Sequence, residues 1–102
     1  MIRRIVVFKM KEEALGAPAW ENAEKLAVMF NNLKNHLDFL VDIKAGVCAK
    51  DTYEICGYNM GLTVTYACKE DIEKYTVHPE HQKVKNFVGE IIETRTMVDY
   101  EI

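Results

Sequence analysis

Residues 5–8, Ile-Val-Val-Phe, are apolar at four successive positions, and this run lies inside the β-branched and aromatic stretch Ile2 to Met10. Such a stretch reads as a strand. Side chains alternate along a strand, so Ile5 and Val7 point to one face and Val6, Phe8 and Met10 to the other. A strand that is apolar on both faces has to be covered on both sides. That requirement limits the rest of the chain more than any other feature.

Residues 11–17 carry charge and a glycine and read as a connection. Pro18 suits the first turn of a helix, and Ala19, Ala23, Leu26, Ala27, Phe30, Leu33 and Leu37 follow at helical spacing. One long amphipathic helix to about Leu37 is expected. Residues 41–50 read as a second strand, with Val41, Ile43, Ala45 and Val47 on one face. Residues 51–57 read as a hairpin loop too long for a tight turn. A third strand follows over 58–68, with Tyr58, Met60, Leu62, Val64 and Tyr66 on one face. A short helix from Lys69 to Val77 comes next. After Pro79, the positions Val84, Phe87, Val88, Ile91 and Ile92 form a helical stripe. Thr96 to Ile102 reads as a fourth strand.

Strand, helix, strand, strand, helix, strand is the split βαβ order. The expected fold class is therefore α+β: a ferredoxin-like βαββαβ unit, one domain over residues 1–102, with a four-stranded antiparallel sheet. Both helices then cover one face of the sheet. Monomers seldom expose apolar patches beyond about 300–600 Å². The doubly apolar first strand thus predicts a second copy packed sheet against sheet, a homodimer closing into an α/β barrel.

Composition excludes several function classes. A net charge of −3, with no basic run beyond Arg3-Arg4, leaves nothing for nucleic acid to hold. The longest apolar run, Leu26 to Phe30, is far short of a bilayer span, so no membrane partner is expected. Met1-Ile2-Arg3-Arg4-Ile5 opens directly into alternation, without the longer apolar segment of a signal peptide. Cys48, Cys56 and Cys68 are odd in number and lack metal-like spacing, so they read as idle, reduced thiols of a cytoplasmic protein, with Cys48 and Cys56 able to lie close in space.

Two of the three histidines and a tyrosine cluster in Tyr75-Thr76-Val77-His78-Pro79-Glu80-His81. A residue before proline is pushed out of the helical region, so His78 is expected extended. Pro79 opens the next helix, and His81 falls in its first turn. The positive end of a helix disfavours imidazolium, so His81 leans towards the neutral form that a general base needs. Tyr75 lies across the break, within reach of the same cavity. Alternatively the block is only a polar junction capped by its own side chains. His78 and His81 lack the further Cys or acidic partners of a four-ligand shell, so no metal is expected.

Three blocks, Arg4-Ile5-Val6-Val7-Phe8-Lys9, Tyr75-x-x-His78-Pro79-x-His81 and Met97-Val98-Asp99-Tyr100-Glu101, resemble the stress-responsive A/B barrel domain family, often called Dabb. The resemblance covers nearly the whole chain and implies a homodimeric, ferredoxin-like barrel. Two positions depart from the family's pattern. Arg4 stands where many relatives carry histidine on the first strand, which points to an anionic group there. Leu37-Asp38-Phe39-Leu40 replaces a frequent Pro-Gly turn. Some plant relatives are cofactor-free polyketide cyclases in which the tyrosine and second histidine of this block act as an acid/base pair. Carried over, those roles fall on Tyr75 and His81, with no cofactor.

Three functions stand side by side. The first is binding of a small, mostly apolar molecule between sheet and helices, with Arg4, Val6, Phe8, Tyr66, His78 and Phe87 as candidate contacts. The second is a cofactor-free cyclase-like or monooxygenase-like enzyme using His81 and Tyr75. The third is a stress protein with a purely structural role.

Overall fold

The computed structural model describes residues 1–102. Its backbone is a four-stranded antiparallel sheet with helices on one face. Strand β1 spans Ile2–Met10; β2 (Glu13–Ala14) and β3 (Ala17–Pro18) form a miniature hairpin; α1 spans Ala19–Asn32. β4 (Asp42–Val47), the single-turn helix α2 (Tyr53–Cys56), β5 (Met60–Tyr66), α3 (Lys69–Val77), α4 (Pro79–Ile91) and β6 (Ile92–Glu101) follow. The strand order β4-β5-β1-β6 puts β1 between two partners, as its doubly apolar run requires.

The helix-covered face of the sheet carries the core. Val6, Phe8 and Met10 from β1 meet Ala23, Leu26, Ala27 and Phe30 from α1 and Val84, Val88 and Ile91 from α4. Phe8 stacks on Phe30 with ring centroids 5.7 Å apart. Each of the Val, Leu, Ile, Phe and Met side chains contributes roughly 1.5–3 kcal/mol when taken fully out of water. Asn59, also buried, ties three strands at their ends. Its side-chain oxygen accepts from the Met10 amide at 2.7 Å, its own amide donates to Phe8, and its carbonyl accepts from Cys48.

Several boundaries move relative to the sequence reading. The 11–17 connection contains the β2–β3 hairpin, whose turn places both Leu15 (φ 53°) and Gly16 (φ 76°) in the left-handed region. Buried Asn22 clamps this hairpin to α1 by donating to the carbonyls of Ala14 and Ala17. Pro18 precedes α1 rather than opening it. The helix narrows to a 3-10 turn over Leu33–Asn35, yet Leu33 and Leu37 stay buried, so the stripe outlasts the α geometry. The second and third strands are shorter than expected, and residues 50–56 are helical turns rather than open loop. Gly57 then takes φ 76° to end the turn.

The fourth strand begins at Ile92, four residues before its expected start. Ile92 continues the helical stripe in sequence but opens the strand. The β1 ladder explains the difference. Met10 pairs with Ile92 across a bulge, and the Lys11 amide donates to the Ile91 carbonyl, so pairing takes over where α4 ends.

On the uncovered face, β1 places Arg3, Ile5, Val7 and Lys9 opposite Tyr100, Val98, Thr96 and Thr94 of β6. Ile5 and Val7 are only half-buried, and Val98 is 55% exposed. Thr63 and Thr65 of β5 and Asp42 and Lys44 of β4 fill the rest. The apolar area is therefore a strip along β1 and β6 and does not extend over the whole face.

Candidate functional site

The break between α3 and α4 organises the site. Pro79 has no amide hydrogen, and His78 is extended (φ −64°, ψ 134°), so the helix cannot run on. The Glu80 amide, which would have bonded Thr76 in a continuous helix, instead donates to His78 Nδ1 at 3.1 Å. His78 is thus the cap of α4. The Thr76 carbonyl is left free and takes two other donors, Gln82 Nε2 at 2.6 Å and His81 Nδ1 at 3.3 Å. A carbonyl only accepts, so Nδ1 carries the proton and His81 Nε2 keeps its lone pair, with no protein partner.

Next to this imidazole lies Tyr75. The two rings are 4.0 Å apart, centroid to centroid. Burial pushes the Tyr75 phenol well above its ordinary range, with Tyr66 adding to the effect. Burial also lowers His81, the Thr76 carbonyl opposes that, and the nearby charges of Lys85, Arg4 and Arg95 lower it further. The pair therefore consists of a neutral imidazole and a firmly protonated phenol.

Both side chains line a cavity of about 130 Å³ between the sheet and the helices that cover it. Its floor follows from strand register, since residues directly opposite share a face: Arg4, Val6 and Phe8 from β1, Met97 and Arg95 beside them on β6, and Leu62 from β5. His81, Lys85 and Val88 project from one face of α4, spaced four and three residues apart. Phe30 closes the α1 side. Towards β6 the cavity meets solvent, and Met97 is 49% exposed.

Charge is unevenly distributed around this space. Arg4, Lys85 and Arg95 line it, and no carboxylate does. Arg4 is gripped from behind by Asp99, with Nε–Oδ1 at 2.8 Å and Nη2–Oδ2 at 3.0 Å, and its guanidinium lies 5.7 Å from the Tyr66 ring centre. Lys85 and Arg95 have no such partner; the ion pairs of the chain are all made by other residues.

Of the residues singled out in the sequence, the fold gathers Arg4, Val6, Phe8, Tyr75 and His81 around the cavity and leaves three outside it. Tyr66 is wholly buried behind the lining, edge-on to Tyr75 at 5.6 Å, with its hydroxyl unpaired. His78 is occupied as a cap and faces Phe39, 6.5 Å between ring centres. Phe87 turns to a shallow surface groove beside Val28 and Met29 of α1. Lys85, Arg95, Met97 and Thr76 line the cavity without having been singled out. The i, i+4 spacing of His81 and Lys85 was the available signal for the first; Arg95 and Met97 needed the register of β6.

No group of three or more His, Cys, Asp or Glu side chains is placed to hold a metal ion. No helix is long and apolar enough to cross a membrane.

Residues 2–102 match the Stress responsive A/B Barrel Domain. No curated protein matches the chain in sequence. Among solved structures, it is similar to a dimeric protein of unknown function and ferredoxin-like fold from Bacteroides fragilis. That pair has 23% identity and a TM-score of 0.81 over 99% of this chain and 95% of the other. It is also similar to the hydroxynitrile lyase of Passiflora edulis, at 18% identity and TM-score 0.75 over 99% and 92% of the two chains. A third is a putative antibiotic biosynthesis monooxygenase from Nitrosomonas europaea, at 16% identity and TM-score 0.76 over 100% and 98%. These likenesses establish the ferredoxin-like fold.

Proposed function

The chain belongs to the stress-responsive A/B barrel domain family, and from that premise we propose that it is a cytoplasmic homodimer of one domain per chain that binds a small, largely apolar molecule in the cavity between sheet and helices. One observation carries this reading: His81 and Tyr75 line the same cavity with their rings 4.0 Å apart, and neither His81 Nε2 nor the Tyr75 hydroxyl has a hydrogen-bond partner in the protein. His78, by contrast, caps α4 through Nδ1 and takes no part in the cavity lining. The dimer is supported by the half-covered Ile5, Val7 and Val98 strip and by the dimeric description of the Bacteroides fragilis protein.

Binding is tested by two-dimensional amide NMR with benzyl alcohol as a probe of the right size. Saturable shifts confined to Tyr75, Thr76, His81 and Val88 are expected, and lost in His81→Ala while the melting temperature holds. Shifts that never saturate, or that fall elsewhere, count against the cavity as a binding site.

The state of the His81–Tyr75 pair favours a second reading, cofactor-free proton abstraction beside a carbonyl. His81 Nε2 would take the proton, and the Tyr75 hydroxyl would hydrogen-bond the enolate oxygen. Two enzymes with the same fold, a hydroxynitrile lyase and a putative monooxygenase, are consistent with chemistry on this scaffold. The check is deuterium incorporation into the methyl group of acetophenone in D2O. Exchange at the buffer rate would sink this reading and leave binding intact.

A further inference from the structure

The chain as a whole is acidic, with a net charge of −3, yet its inner cavity is lined by Arg4, Lys85 and Arg95 and by no acid. Asp99 offsets Arg4 alone. Lys85 of α4 and Arg95 of β6 also line the cavity, both are exposed, and neither has an ion-pair partner. The inner wall, by contrast, is apolar: Val6, Phe8 and Val88 among others. The volume of about 130 Å³ is close to that of an apolar cavity known to hold benzene, about 150 Å³. A ligand matching both ends has a ring-sized apolar body and one negative group.

Resting on the binding function proposed above, we infer that the ligand is a small carboxylate, its ring or short chain seated on Phe8 and Val88 and its carboxylate held between Lys85 and Arg95. Guanidinium and ammonium groups bind carboxylate through charge-assisted hydrogen bonds.

The probes are benzoate and its neutral counterparts, benzyl alcohol and benzamide, titrated by calorimetry at low and at physiological salt. Benzoate is expected to bind at least tenfold more tightly at low salt and to lose part of that advantage as salt screens it. Lys85→Met and Arg95→Met are each expected to weaken benzoate several-fold more than they weaken benzyl alcohol. Equal affinity for charged and neutral probes overturns the carboxylate assignment and leaves the binding function standing. Failure of all three to bind overturns both.

A separate observation concerns Cys48 and Cys56. Their sulfurs lie 3.2 Å apart, one just beyond β4 and the other closing α2. Cys56 is exposed and Cys48 partly so, and both are free thiols. The geometry points to a reversible dithiol–disulfide couple. Backbone hydrogen bonding at Tyr58 and the Cys48 thiol hold Cys56 below the ordinary thiol range, so Cys56 is the attacking sulfur. With oxidised glutathione as oxidant, the Cys56 thiolate displaces one glutathione and forms a mixed disulfide. Cys48 then attacks the Cys56 sulfur and expels the second. Two electrons pass to glutathione, and the two thiol protons end on the released glutathiones.

Trp20 gives a readout, because it packs edge-on against Tyr53 of α2 at 5.2 Å and is the sole tryptophan. Titration of the whole protein with a glutathione redox buffer is expected to remove two thiols, leave Cys68 free and shift tryptophan fluorescence in step. Cys48→Ser is expected to stop at the mixed disulfide. Three thiols surviving an oxidising buffer, or a stable mixed disulfide in the unaltered protein, would overturn the couple.

Discussion

His81 Nδ1 and the Thr76 carbonyl oxygen, 3.3 Å apart across a helix break, fix which nitrogen of the imidazole is free. The bond exists because Pro79 ends α3 and His78 takes the amide that Thr76 would otherwise have received. A three-residue accident of backbone geometry thereby sets the tautomer of the one base in the cavity.

The same residue makes stability depend on pH in a direction that follows from its surroundings. Burial and the facing charges of Lys85, Arg4 and Arg95 hold folded His81 below its ordinary value, against the pull of the Thr76 carbonyl. An unfolded imidazole titrates at about 6.5. Below that, the unfolded chain takes a proton that the native chain refuses, so native stability falls with pH until the folded value is passed, then levels off. Melting temperatures of the protein and His81→Gln, followed from about pH 7.5 to about pH 5, are expected to diverge on the acid side, with the variant less sensitive. Superimposable profiles would mean that His81 is not held neutral by the fold.

Two tyrosines in edge-on contact should respond differently to loss of a hydroxyl. Tyr75 lines the cavity and its hydroxyl makes no hydrogen bond to the protein; Tyr66 is fully buried with its hydroxyl unpaired. Tyr75→Phe keeps the ring packing, so a stability change below about 1 kcal/mol is expected, with carbonyl exchange slowed about 10- to 100-fold if the enolate is held there. Tyr66→Phe removes a buried, unsatisfied donor and is expected to be neutral or stabilising. Burial holds the Tyr66 phenol up at about 12, so it stays protonated at working pH. Chemical denaturation separates the two; a large loss of stability in Tyr75→Phe would make its hydroxyl structural.

Much of the fold was legible because it rests on periodicity. The doubly apolar Ile5–Phe8 run placed β1 inside the sheet, and the stripe from Ala19 to Leu37 gave α1 its buried face. The α3–α4 break could be read from His78-Pro79 alone. What escaped was register and edge structure. The start of β6 carries Glu93, Thr94 and Arg95, all exposed, so it shows no alternation, while Ile91 and Ile92 prolong the helical stripe beyond the helix. Without that register, Arg95 and Met97 could not be placed beside Phe8 and Val6. Phe87 misled for the opposite reason: a helical position near Val88 points about 100° away from it, here to the surface groove. The closeness of Cys48 and Cys56, raised already by their spacing in the sequence, is brought about by the helical turns of 50–56.

The uncovered sheet face gives a test of assembly. Val98 lies opposite Ile5 and is 55% exposed, at the middle of the apolar strip. A lysine there would bring two like charges together, or bury them, wherever two copies meet face to face. Light scattering is expected to give about twice 11.8 kDa for the protein and close to 11.8 kDa for Val98→Lys. A monomeric parent protein would remove the case for a barrel.

Asp99 offers a way to raise the charge of the cavity without adding a residue to it. Its carboxylate holds Arg4 by two short hydrogen bonds from the edge strand, and that contact keeps Asp99 below the usual carboxylate range. Asp99→Asn retains the size and one acceptor but removes the negative charge, leaving Arg4 free to act on the cavity. Affinity for benzoate is expected to rise several-fold while benzyl alcohol is unaffected. The loss of stability should stay within about 1 kcal/mol, because the pair is partly solvent-screened. The competing outcome is a drop in benzoate affinity, which would show that Asp99 serves by orienting Arg4 towards the ligand. Isothermal titration paired with a melting curve distinguishes the two, since loss of orientation lowers affinity for benzoate at unchanged melting temperature.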